Sequence, residues 1–147
     1  MKTFLCFVIA LCSCFNINAQ DADGCVDHSL IKRLPNTFIT ECVTDTNEME
    51  FTIYPDSVLR LNGVKFFIAY GHNELKAKIA PSFSKIVKSY ETRMLKQGGR
   101  KMYYSEDAGT VTFYLPSGNK KLWCVIDDGG GNGEGYYSIT VLEPLED

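Results

Sequence analysis

Residues 82–99, SFSKIVKSYETRMLKQGG, carry the one convincing helical pattern of the sequence. Phe83, Ile86, Val87, Tyr90 and Met94 recur at three- and four-residue spacing and form one apolar stripe. That is the pattern of a helix with a single buried face. Lys85, Lys88, Glu91 and Lys96 fall outside the stripe and face water. Ser82 is placed to cap the free N–H groups at the start, and Gly98-Gly99 supplies a left-handed stop.

Working outward, the flanks read as strand. Downstream lie Lys101–Ser105, Thr110–Leu115 and Lys121–Asp127, the last two joined by a turn over Pro116–Asn119, and then Tyr136–Leu142. Upstream, Thr37–Val43 is a short β-type run, and Asp45–Asn47 carries a turn signal. In Glu48–Tyr54 the residues Met49, Phe51 and Ile53 alternate with Glu50, Thr52 and Tyr54, as in a half-buried strand. Pro55-Asp56 ends it, and Asn62-Gly63 predicts a hairpin turn between Leu59-Arg60-Leu61 and the run Val64–Tyr70. Strands joined by short turns run antiparallel, and one helix covers one face. The expected fold is α+β: an antiparallel β-sheet with one long amphipathic helix packed on one face. The other face is solvated, curled on itself, or covered by the N-terminal segment. In Lys121–Asp127 both alternating sets are largely apolar, so this strand is central and Trp123 belongs to the core.

The chain has 147 residues, with 45% hydrophobic and 22% charged side chains and a net charge of −3. That composition excludes a disordered tail or coiled coil and leaves no electrostatic footprint for nucleic acid. Residues 1–20 read as a signal peptide: Lys2, an apolar run from Phe4, then polar Asn16 and Asn18 before Ala19-Gln20. Leu11-Cys12-Ser13-Cys14 resembles a lipobox, which makes acylation at Cys14 the alternative. The expected mature chain starts near Asp21 and forms one domain, residues 21–147. The apolar run is too short for a mature transmembrane helix, and none follows. Of the six cysteines, Cys25, Cys42 and Cys124 lie beyond the leader. An odd number in an oxidising compartment predicts one disulfide and one thiol. Cys25 with Cys42 is the expected pair, with Cys124 packed as a small apolar group; Cys42 with Cys124 is the competitor.

Asp27-His28 is the pair with the most chemistry in it. A carboxylate beside an imidazole can orient a general base, and Asp23 and Cys25 are near enough in sequence to suggest a metal. The competing reading is structural, with His28 anchoring the N-terminal segment to the sheet. His72, in Gly71-His72-Asn73, reads as a solvated turn residue. Arg33 can pair with Asp27 or a neighbouring acid, or contact a partner. Asp127, Asp128, Asn132 and Glu134 offer oxygen ligands for calcium within a glycine-rich loop, but EF-hand spacing is absent. Tyr136 and Tyr137 are candidate binding aromatics. No cofactor motif is present.

The segment Asp21-Ala-Asp-Gly24-Cys25-Val-Asp27-His28-Ser29-Leu30, followed by Arg33 and Pro35, resembles the opening of an exported domain. That domain precedes OmpA-type peptidoglycan-binding modules in Gram-negative envelope proteins. The similarity continues through Leu61-Asn-Gly63-Val64, Tyr90-Glu91, Leu122-Trp123-Cys-Val125 and Tyr136–Val141. Cys25 stands where relatives often carry Ser, and Ser29 where they carry Pro. No OmpA-type module follows in this sequence, so peptidoglycan binding is not carried over. The resemblance implies an exported, periplasmic or outer-membrane-associated accessory domain whose partner is an envelope protein or a glycan. A small secreted enzyme using Asp27 and His28, and a calcium-stabilised domain using residues 127–135, are the alternatives.

Overall fold

The computed structural model describes residues 20–129 and 135–145. Pro55-Asp56 forms a two-residue turn. It joins β1, Thr37–Tyr54, to β2, Ser57–His72, in one long antiparallel hairpin whose register runs from Tyr54↔Ser57 to Thr37↔His72. Helix α1, Phe83–Lys96, then carries the chain across the sheet to β3, Arg100–Ser105. The meander continues through β4, Thr110–Ser117, β5, Lys120–Asp128, and β6, Tyr137–Pro144. The strand order is β1-β2-β6-β5-β4-β3, and every pairing is antiparallel. Antiparallel sheet plus one helix is the expected architecture, but the helix is only 14 residues long and the described molecule is mostly β.

Two expected turns are absent. Asp45–Asn47 stays within β1, where Asp45 pairs with Lys65 at 3.0 Å across the hairpin. Asn62-Gly63 stays within β2, where Gly63 faces Asn47 on one side and Pro144 on the other. A Cβ built on Gly63 would lie 2.3 Å from the backbone oxygen of Glu143, so this glycine serves close strand approach rather than a reversal.

The helix buries the predicted stripe, Phe83, Ile86, Val87, Tyr90 and Met94. The stripe packs on the sheet face formed by Ile68, Phe113, Ile126, Ile139 and Val141. Ser82 takes the N-cap position, but its hydroxyl makes no capping bond and meets Ser84 Oγ at 3.2 Å instead. Gly98, at φ 79°, provides the left-handed stop, and the Gly99 N–H closes on the Met94 carbonyl at 2.8 Å.

The opening segment, residues 21–36, lies on the helix side, where Ile31 and Leu34 join the core. The far face is covered by the hairpin itself. β2 pairs with β6 only over Gly63–Tyr70, so the outer half of the hairpin extends past the sheet and curls back. Phe51, fully buried, brings its ring to 5.6 Å from Trp123 on that face. β5 is central as expected, with Leu122, Cys124 and Ile126 facing the helix and Trp123 facing the curled hairpin.

Candidate functional site

The candidate residues of the opening segment are held partly by partners the sequence names, Cys42 and Asp27, and partly by ones it does not, among them Tyr70 and Glu143. Cys25 and Cys42 form the expected disulfide, Cα to Cα 5.8 Å, and fasten the segment to β1. Among the described residues Cys124 is the free cysteine; it is buried, and burial pushes its thiol pKa up.

Arg33 grips two carboxylates. Its Nε donates to Asp27 Oδ2 at 2.9 Å and to Oδ1 at 3.2 Å, and its Nη2 donates to Asp21 Oδ2 at 2.8 Å. Asp21 also accepts the Ile39 N–H at 2.8 Å, which pins the start of the segment to β1. The Arg33 hydrogen bonds hold the Asp21 carboxyl below its usual range. Asp27 accepts a further hydrogen bond from the Tyr70 hydroxyl at 2.9 Å. Beneath it three tyrosines connect. Tyr70 stacks on Tyr137 with ring centroids 5.0 Å apart, and the Tyr90 and Tyr137 hydroxyls lie 3.0 Å apart. The Tyr137 hydroxyl accepts the Leu34 N–H at 3.1 Å. Burial raises the pKa of all three phenols, so they remain protonated.

His28 turns the other way. Its Nδ1 accepts the Leu30 N–H at 3.3 Å, which leaves the proton on Nε2, facing Glu143 Oε1 at 3.5 Å. Phe66 sits edge-on to the ring at 5.1 Å. Burial lowers the His28 pKa, and Glu143 offsets only part of that shift. Glu143 itself is held low by Lys120, 2.7 Å away. These residues border a cleft of about 370 Å³ beside Val26 and Cys42.

Asp27 and His28 therefore do not form a dyad. Asp27 serves Arg33 and Tyr70, while both imidazole nitrogens of His28 face other partners, so the ring presents no free lone pair to act as a base. The backbone hydrogen bond of His28 stays within its own segment, at Leu30, and its polar contact with the sheet is the side chain of Glu143. Tyr137 is a core residue, whereas Tyr136 is exposed. His72 is buried rather than solvated, with Nε2 at 2.6 Å from the Ala77 carbonyl oxygen, because residues 73–81 fold back over it. Asp127 and Asp128 belong to β5; Asn132 and Glu134 lie outside the described residues. Among the described residues no cluster of three or more His, Cys, Asp or Glu is arranged to hold a metal ion. No helix there is long and apolar enough to cross a membrane.

Three residues at this site carried little sequence signal. Asp21 is the first residue after the leader-like stretch, Tyr70 ends a run of apolar residues, and Glu143 reads as part of an acidic tail. Only register locates Glu143: its strand partner is Val64, two residues from Phe66, which places it on the face that His28 occupies. No family model matches the chain, and no curated protein or solved structure does.

Proposed function

We propose that the chain is an exported cell-envelope domain that binds a partner protein or glycan and performs no catalysis of its own. The observation that carries this reading is the commitment of the opening segment's reactive groups. Arg33 is taken by Asp21 and Asp27, and His28 by Leu30 and Glu143. The groups a small hydrolase would draw on are thus used to seat a segment on a sheet, which is how a binding scaffold is built. The Cys25–Cys42 disulfide fits an oxidising compartment, and the leader-like residues 1–20 and the envelope-domain resemblance point the same way. Tyr136, exposed just before β6, is a candidate contact.

Expressing the full chain in a Gram-negative host, followed by fractionation and intact mass analysis, tests the reading. The expected product begins near Asp21, lies in the envelope or periplasmic fraction, and carries the oxidised Cys25–Cys42 pair. A full-length, reduced chain retained in the cytoplasm would overturn it.

A further inference from the structure

Arg93 contrasts with Arg33 in what it lacks. Its Nη1 donates to the Lys32 carbonyl at 2.9 Å and the Arg33 carbonyl at 3.1 Å, and its guanidinium lies 5.5 Å from the Tyr90 ring centroid. Those contacts fix the plane of the group. Among the described residues, the edge formed by Nε and Nη2 has no hydrogen-bond partner and no carboxylate pairs with it. A guanidinium carries five N–H donors, and its side-on edge matches a carboxylate in two parallel bonds.

This half-used arginine lines a groove of about 330 Å³ between the opening segment and the C-terminal half of α1. Leu30 is the exposed apolar wall of the groove, the core residues Ile31, Tyr90 and Met94 lie buried at its floor, and Lys32 adds a second cation. No ion pair within the described residues engages Lys32. In sequence, Lys76 through Lys101 contain eight Lys and Arg residues and one acid, Glu91, and the groove itself is lined by three cations, Lys32, Arg33 and Arg93, with Arg33 already engaged by Asp21 and Asp27. Glu91 is taken up by Lys101 at 2.8 Å. Basic residues in the last helical turn also complement the helix dipole. That applies to Lys96 and Arg93 alike, but it does not explain why Arg93 is tied to the Lys32 and Arg33 carbonyls beside the groove.

We infer that this groove is a binding site for a small anionic amphiphile, a carboxylate with an aliphatic body, with the Arg93 fork and Lys32 holding the head and Leu30, Ile31 and Met94 holding the chain. Its volume falls at the lower end of small-molecule sites, which suits a medium-chain acid. The assignment rests on the reading of the chain as a binding domain and supplies a ligand class for it.

Titration calorimetry with sodium decanoate, kept below its micelle concentration, tests the site against decanol as the uncharged control. Decanoate is expected to bind the folded chain and decanol to bind more weakly. Arg93→Gln should weaken decanoate by about 10- to 100-fold, the equivalent of one charge-assisted hydrogen-bonded contact. Leu30→Glu changes an exposed wall residue, so the fold is retained and binding should be lost even if Arg93→Gln proves too unstable to measure. Absence of decanoate binding, equal affinity for decanol, or binding unaffected by Leu30→Glu would each overturn the site. Failure here in a chain that fractionates to the envelope removes the groove and leaves the envelope reading intact. Binding by a chain retained in the cytoplasm does the reverse.

Discussion

The opening segment and the outer half of the β1–β2 hairpin both lie beyond the paired body of the sheet, and they are secured in opposite ways. The opening segment has several independent ties: the Cys25–Cys42 disulfide, the Arg33 grip on Asp21 and Asp27, the Ile39 N–H on Asp21, and Ile31 and Leu34 in the core. In the hairpin arm Phe51 is the one fully buried side chain, set against Trp123, with Met49, Ile53, Leu59 and Leu61 half-buried around it. The Glu50–Arg60 ion pair is internal to the arm and exposed, so it contributes little. A segment with many weak ties loses them one at a time, whereas an arm centred on one fully buried side chain loses its position with that side chain.

Phe51→Ala is therefore expected to have the largest effect, about 3–5 kcal/mol of global stability, since it empties a fully buried aromatic site. Urea unfolding measures the loss, and hydrogen exchange should show protection falling along β1 from Thr46 to Tyr54. A loss below about 1 kcal/mol, at the level of an Ile→Val change, would mean that the arm has other anchors. Replacing both Cys25 and Cys42 with Ala should cost somewhat less, roughly 3 kcal/mol for a loop of this length in the chain-entropy description. The Arg33 grip remains in that variant, so amide protection at Ile31 and Leu34 should persist. Collapse of that protection would show the disulfide to be the only effective tie.

The contrast also separates what the sequence revealed from what it concealed. The helix was legible residue by residue, because its stripe depends on local period alone and each of the five stripe residues is buried. The Cys25–Cys42 pair was reachable because Cys124 falls at an inward position of a central strand. The hairpin was misread at Asn62-Gly63, where a turn-forming dipeptide serves a close approach to β6. That approach is a long-range fact, set by the register of a strand some eighty residues downstream. His72 looked solvated for the same reason: the segment that buries it follows in sequence and carries no period of its own. Arg33 was expected to meet an acid, but its sharing between Asp21 and Asp27 depends on how the segment crosses β1 and β2. Glu143, the long-range partner of His28, emerges only once β6 is paired with β2.

The smallest expected effect is a pH dependence that isolates one tie of the opening segment. Burial sets the folded-state pKa of His28 below its ordinary 6.5, while the unfolded chain retains the ordinary value. Between those two values the unfolded state binds the additional proton, so this contribution to stability is present above about pH 6.5 and is lost as pH falls. Asp21 and Glu143 are also lowered in the fold, by Arg33 and Lys120 respectively, and lose stability in the same direction. Their ordinary values are 3.8 and 4.5, however, so their losses begin at much lower pH. Melting temperatures measured between about pH 7.5 and 5.5 therefore report the histidine. A modest decline is expected as the pH drops, no steeper than about 1.4 kcal/mol per pH unit, the limit for a single proton. His28→Asn keeps an acceptor near the Leu30 N–H and removes the titration, so its stability should be lower at pH 7.5 and nearly flat across the window. An unchanged slope in that variant would move the proton elsewhere and strip His28 of its part in holding the segment through Glu143.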